Sequence, residues 1–122
     1  MKSPARDEGP LGTFEEQVLL AVLRTAPDPY GMTVRREIEE VTGRALAVGA
    51  VYATLDRLES KGFLSSRRAE VEGVSRRIFA VTTSGARALA DSRAMRERLW
   101  RGVDLARLLP AHGQDRPAPG IR

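Results

Sequence analysis

Eight cations in this sequence are spaced so that they could grip phosphates: Arg35, Arg36, Arg57, Lys61, Arg67, Arg68, Arg76 and Arg77. Two adjacent arginine pairs, Arg67-Arg68 and Arg76-Arg77, flank a Glu72-Gly73 turn signal, so they fall on facing strands of a predicted hairpin. Alternation along a strand puts one arginine of each pair outward. Such pairs suit a groove or phosphate backbone; a solvated edge strand guarded against aggregation is the alternative, and the adjacent helix-turn-helix pattern favours DNA. All the basic residues except Lys2 and Lys61 are arginine, the side chain favoured for two-pronged recognition of phosphate. A GC-rich coding sequence also enriches arginine, so composition alone leaves both causes open. From Arg44 to Thr82, seven basic residues (Arg44, Arg57, Lys61, Arg67, Arg68, Arg76, Arg77) face four acids (Asp56, Glu59, Glu70, Glu72), a surplus of +3.

Other chemistries lack their residues. The single histidine, His112, stands in a polar, proline-rich tail, and there is no cysteine. Disulfides and thiolate metal sites are therefore excluded, and no histidine-based metal centre or catalytic triad is expected. No G-x-x-x-x-G-K-[ST], G-x-G-x-x-G or G-x-S-x-G motif occurs, so an enzyme is not expected, nor a cofactor. No apolar run reaches the roughly 18 residues that span a membrane, and no apolar segment near the N-terminus could act as a signal. A cytoplasmic protein without membrane contact is the expectation. The length, 122 residues, allows about one domain. Net charge is +4 with a sequence pI near 10.3.

The stretch Ala47–Leu64 positions several of the candidate cations. Val51, Leu55 and Leu58 recur at helical spacing and make one apolar side. Gly49, Ala50, Ala53, Arg57 and Ser60 make a small, singly basic side that could lie close to a grooved partner. Lys61-Gly62 stops the helix with a cation and then a glycine suited to the left-handed conformation. This segment reads as a DNA-recognition helix. Arg57 is the expected base reader, with Ala53 and Thr54 near base edges and Gly49 and Ala50 allowing close backbone approach. The shortage of Asn, Gln and Lys in this helix throws much of the specificity onto thymine methyls and DNA shape. Tyr52 flanks the apolar stripe and reads either as a half-buried core tyrosine or as a hydroxyl donor to phosphate.

The remaining elements support that helix. Thr13-Phe14-Glu15-Glu16 reads as a capping box with Thr13 at the N-cap and Glu16 reaching back. The helix that follows, to about Thr25, carries the stripe Phe14, Val18, Ala21 and Val22. Leu19, Leu20, Leu23 and Ala26 continue around it, so a second subunit is expected on its other side. Pro27-Asp28-Pro29 makes a rigid turn into a helix over 32–42, with Val34, Ile38 and Val41 inward and Gly43 closing it. Two short helices about a tight turn are a helix-turn-helix pattern. Thr82 caps a last helix in which Ala86, Leu89, Trp100 and Val103 share a face, with Leu99 at its shoulder. Pro110 ends it.

The order of elements and four specific stretches resemble the PadR family of bacterial winged-helix transcriptional regulators. The stretches are the first apolar helix with Tyr30-Gly31 after its turn; Tyr52-x-x-Leu55-x-x-Leu58-Glu59-x-x-Gly62; Arg76-Arg77-x-Phe79-x-Val81-Thr82-x-x-Gly85; and Arg98-x-Trp100-x-Gly102. They cover about residues 13–103. The resemblance implies a homodimer built from the first and last helices, two recognition helices reaching successive major grooves, and repression often relieved by a small aromatic or drug-like ligand. Ile78-Phe79 stands where the family commonly has two aromatics, and Thr83 where it commonly has proline. The C-terminal region is short, which leaves less chain for a spacious effector pocket.

The expected fold is mainly α with a small β-hairpin: a winged helix-turn-helix with an N-terminal helix and a C-terminal dimerisation helix. The expected divisions are a disordered tail (1–12), a DNA-binding domain (13–82), a dimerisation helix (83–109) and a flexible tail (110–122). Phe14, Leu19, Leu23, Leu89, Met95, Leu99, Trp100 and Val103 are candidates for the dimer interface or a ligand cavity. For Trp100 the two roles stay open: interface packing, or the wall of an effector cavity between subunits. The expected function is a sequence-specific regulator, a homodimeric repressor of a palindromic operator in double-stranded DNA. A winged-helix module that binds an acidic protein partner without reading DNA is the competing interpretation.

Overall fold

The computed structural model describes residues 11–110. Their order is α1 (Thr13–Arg24), α2 (Gly31–Thr42), α3 (Val48–Ser60), β1 (Leu64–Val71), β2 (Val74–Val81) and α4 (Thr83–Trp100). This is the expected winged helix-turn-helix. Most of the two expected tails lies outside the described residues.

The core forms where the three N-terminal helices meet the root of the hairpin. Val18, Leu19, Ala21 and Val22 of α1 pack with Val34 and Ile38 of α2 and with Val51, Leu55 and Leu58 of α3. Phe63, Leu64 and Phe79 close it from the strands. Thus α1 is covered within the chain itself: Leu19, expected on an intersubunit face, is fully buried in the core. Phe14 and Leu89, expected at the same interface, are partly buried against that core. Conversely Val41, expected inward, is 62% exposed: it stands in the last turn of α2, past Val34 and Ile38, which the core covers.

Caps and turns account for most element boundaries. The α1 cap falls one residue earlier than the sequence suggests: Gly12 is the N-cap, and its amide donates to Glu15 Oε1 at 3.0 Å. Glu16 is thereby left free to pair with Arg96 of α4. Gly43 ends α2 at φ 73°, a left-handed cap that glycine adopts without the Cβ clash. Glu72 and Gly73 both take positive φ, 54° and 79°, as a two-residue hairpin turn that matches strand twist requires. Thr82 holds three elements together. Its Oγ1 donates to the Gly62 carbonyl at 2.6 Å and accepts from the Gly85 amide at 3.0 Å, while its own amide donates to the Phe63 carbonyl at 3.1 Å.

The last helix is shorter than the expected 83–109. It stops at Trp100, and Gly102 follows with φ 79°, so Val103 lies beyond it rather than on its face. No described helix is long and apolar enough to cross a membrane.

Candidate nucleic-acid interface

The outer side of α3 is built to let a partner come close. Gly49, Ala50 and Ala53 are exposed, and nothing lies within 4 Å of where a Gly49 Cβ would stand. Thr54, expected near base edges, is instead buried beside Val51 and Leu55, and its Oγ1 accepts from Arg57 Nη2 at 3.2 Å. One turn of helix separates Val51, Thr54, Leu55 and Leu58 into a single buried face, which takes Thr54 with it.

Arg57, the expected base reader, lies back toward α1. Its Nε donates to Glu15 Oε2 at 3.4 Å, and Lys61 Nζ donates to the same oxygen at 2.8 Å. Burial raises the Glu15 pKa, but the Lys61 hydrogen bond, the Gly12 amide, the Lys61 charge and the Arg57 hydrogen bond together bring it below its ordinary value. Glu15 thus secures the C-terminal half of α3 to the start of α1.

A second network joins α3 to the wing. Arg77 donates to Asp56 Oδ1 at 2.8 Å and also bonds Glu59, whose carboxylate accepts from Ser66 Oγ at 2.8 Å. Its guanidinium lies 4.8 Å from the Phe79 ring centroid. The hydrogen bond from Arg77, helped by Ser66, holds Glu59 below its ordinary pKa. Asp56, then Glu59, holds the Arg77 pKa up against the opposing effect of burial. Arg77 therefore neutralises both acids on the wing side of α3.

The two arginines of each pair point to opposite faces, as alternation requires, but exposure divides between the strands and not within each pair. Arg67 and Arg68 of β1 are both exposed, whereas Arg76 and Arg77 of β2 are both half-buried. The reason is the partner of β2: the Phe79 amide donates to the Pro29 carbonyl at 2.9 Å, so the α1–α2 turn flanks that strand. Directly opposed residues share a face, so Arg68 with Arg77 faces one way and Ala69 with Arg76 the other. Arg76 consequently lies over the Tyr30 ring, 4.2 Å from its centroid. Arg67 pairs with Asp28 at 3.7 Å.

These contacts sort the eight candidate cations. Arg35 is claimed by the Leu46 carbonyl at 2.9 Å and by Glu39 at 3.6 Å, and Arg57, Lys61, Arg67 and Arg77 also have internal carboxylate partners. Arg36, Arg68 and Arg76 make no ion pair among the described residues. Two of those three, Arg68 and Arg76, line a cleft of about 300 Å³ between the hairpin and the helix-turn-helix, together with Tyr30, Gly31, Tyr52 and Arg77. Tyr52, 37% exposed, points its phenol tip at the first residue of α2. A Cβ on Gly31 would stand 2.3 Å from the Tyr52 hydroxyl. Reasoning from sequence missed Glu15, Asp56, Glu59 and Ser66. An acid pair at i, i+3 on a helix preceding an arginine hairpin is the signal that could have found Asp56 and Glu59.

At the end of α4 and in the residues that follow it, apolar side chains are uncovered. Leu99 is 70% exposed and Trp100 56%, with Val103 and Leu109 also exposed, and Leu20 and Leu23 project from the outer side of α1. Met95 is half-buried.

This architecture has counterparts. Residues 19–91 match the profile of the Transcriptional regulator PadR-like family. The chain belongs to that family. Transcriptional regulator Rv3488 of Mycobacterium tuberculosis is 35% identical to this PadR-like protein over 88 residues, 70% of this chain and 81% of that one. The structure of a PadR-like transcription factor from Bacteroides fragilis superposes with a TM-score of 0.64 at 21% identity, covering 80% of this chain and 88% of that one. A complex structure of hsRosR-S1 gives 0.61 at 27% identity, with 83% of each chain covered. The PadR-like protein is thus a transcriptional regulator and not an enzyme.

Proposed function

We propose that this PadR-like regulator binds double-stranded DNA as a homodimer and represses transcription from a palindromic operator. One observation carries the reading: the small, open outer side of α3 lies beside a hairpin whose unclaimed arginines, Arg68 and Arg76, are positioned at the same junction. Helix α3 would enter a major groove, where Gly49, Ala50 and Ala53 allow close approach and the alanine methyls meet thymine methyls. With Thr54 buried and Arg57 engaged by Glu15, few donors remain for direct base reading. Much of the specificity would come from shape and deformability of the duplex.

The second copy follows from the uncovered apolar residues Leu20, Leu23, Leu99, Trp100 and Val103. A dimer would bring these side chains together into an interaction surface. Twofold symmetry then requires half-sites about one helical turn apart. An effector of small aromatic chemistry would relieve repression by binding between the subunits near Trp100.

The test is a gel-shift titration with the regulator's own promoter at several salt concentrations, alongside sedimentation of the free protein. A dimer that binds with steep salt dependence is the expected result. Binding that ignores ionic strength, or a protein that stays monomeric when bound, would overturn the proposal. Quenching of Trp100 fluorescence by aromatic cations, abolished when the dimer is dissociated, is the expected signature of the effector.

A further inference from the structure

We propose that the cleft between the hairpin and the helix-turn-helix is a dedicated seat for one DNA backbone phosphodiester, held by Arg68, Arg76 and the Tyr52 hydroxyl. This rests on the DNA-binding reading above and assigns within it the group that each residue meets. Most of the positive charge nearby is already neutralised. Five of the eight candidate cations have internal acceptors, and Arg77, at the inner wall of the cleft, is consumed by Asp56 and Glu59. Arg76 is different. Among the described residues it makes no ion pair and its Nε, sealed from solvent, has no hydrogen-bond acceptor, and its guanidinium carbon lies over the Tyr30 ring, 4.2 Å from the centroid.

A buried polar group without a partner is uncommon and asks for a reason. Stacking on Tyr30 fixes the arginine at a cost in conformational freedom, and the conformation it fixes puts a full positive charge into a cleft containing no carboxylate. Arg68, set by the register on the opposite face of the hairpin from Arg76, lines the same cleft and adds a second unclaimed cation from β1, and Tyr52 adds a neutral donor from α3. Two arginines and a phenol match the non-bridging oxygens of a phosphodiester, which presents only acceptors. A phosphate gripped here would be bound by α3 and the hairpin at once, and so would fix the depth and tilt of the recognition helix. Gly31 is required because any side chain there would push the Tyr52 ring from its place.

Phosphate contacts are independent of sequence, so a random-sequence duplex is a sufficient probe. The experiment compares wild type with Arg76→Gln, Arg68→Gln, Tyr52→Phe and a control, Arg93→Gln on α4, by fluorescence anisotropy from 50 to 200 mM salt, with melting curves recorded for each. Each cleft arginine variant is expected to flatten the slope of log affinity against log salt by about 0.9 for each phosphate it no longer neutralises. Tyr52→Phe is expected to lower affinity at an unchanged slope, and Arg93→Gln to alter neither. Arg68 is exposed, so Arg68→Gln carries the test if Arg76→Gln does not fold. Wild-type binding with steep salt dependence that neither arginine variant changes would overturn the seat while leaving the DNA reading intact. Absence of salt-dependent duplex binding by wild type would remove both. A third arm follows the Arg76 Nε–H resonance during titration with inorganic phosphate. A shift there, combined with unchanged duplex slopes, would make the cleft a small-anion site and refute the phosphodiester assignment.

Discussion

Tyr52 and Gly31 are a matched pair at the scale of single residues. The phenol tip occupies the volume a Cβ on Gly31 would need, leaving 2.3 Å between them. Gly31→Ala is therefore expected to destabilise the protein by about 1–3 kcal/mol through overpacking, since the ring must move. The double variant Gly31→Ala with Tyr52→Ala is expected to lose less than the sum of the two single variants, read from urea midpoints. Additivity would show that the two side chains do not share that space. Gly85 is a harsher case. A Cβ there would stand 2.2 Å from the Phe63 carbonyl oxygen, which is backbone and cannot rotate away. Gly85→Ala is expected to exceed Gly31→Ala in cost, because α4 must then shift off the root of β1, and differential scanning calorimetry of both variants would show the order.

Between elements, Arg77 acts as a fastener from the hairpin to α3, its guanidinium taken up by Asp56 and Glu59. Arg77→Ala is expected to cost about 1 kcal/mol, a modest figure because the guanidinium is 36% exposed and solvent screens the pairs. It would weaken DNA binding by loosening the wing, and the salt slope would change little because the number of neutralised phosphates stays the same. A slope flattened by a full unit charge would instead place Arg77 on DNA. The acids in these joints also set a pH dependence. Glu15 and Glu59 have pKa values lowered in the folded state, so their stabilisation is complete above the ordinary carboxylate value of 4.5. It is lost as pH falls through their depressed values. Glu59→Gln is expected to lower stability at pH 7 and to flatten the decline of melting temperature below pH 4.5. An unchanged acid limb in that variant would show that Glu59 carries no linked proton.

At the scale of the whole molecule, two kinds of surface stand apart in chemistry: a basic junction of α3 and the hairpin, and the exposed apolar side chains of α1 and of the end of α4. Leu99→Arg and Trp100→Ala are expected to raise the dimer dissociation constant at least tenfold in sedimentation equilibrium, the first by burying an unpaired charge and the second by removing an aromatic anchor of the kind that dominates interface energetics. Secondary structure by circular dichroism would stay intact, because neither side chain belongs to the core of the protomer. Unchanged association in both variants would move the dimer interface elsewhere. DNA affinity would fall along with association, because two half-sites bound independently lose the gain of linkage.

The local grammar of this protein is written in its residues alone. The helical spacing of Val51, Leu55 and Leu58, the stops at Gly43 and Gly62, the Thr82 cap and the Glu72-Gly73 turn are all short-range effects, set by dihedral preference and nearby hydrogen bonds. The described elements begin and end within a residue or two of those signals, except at the end of α4. Which charges are neutralised was settled only by packing. Glu15 meets Lys61 and Arg57 across more than forty residues, Arg77 is consumed by Asp56 and Glu59, and only the flanking of β2 by the Pro29 turn lays Arg76 on Tyr30. A periodic pattern records which side of a helix is apolar but not what packs against it, and so Leu19 could be assigned to a partner while belonging to the core. Pairing between charges distant in the chain depends on how helices and strands come together in three dimensions, and that geometry leaves no mark in local spacing.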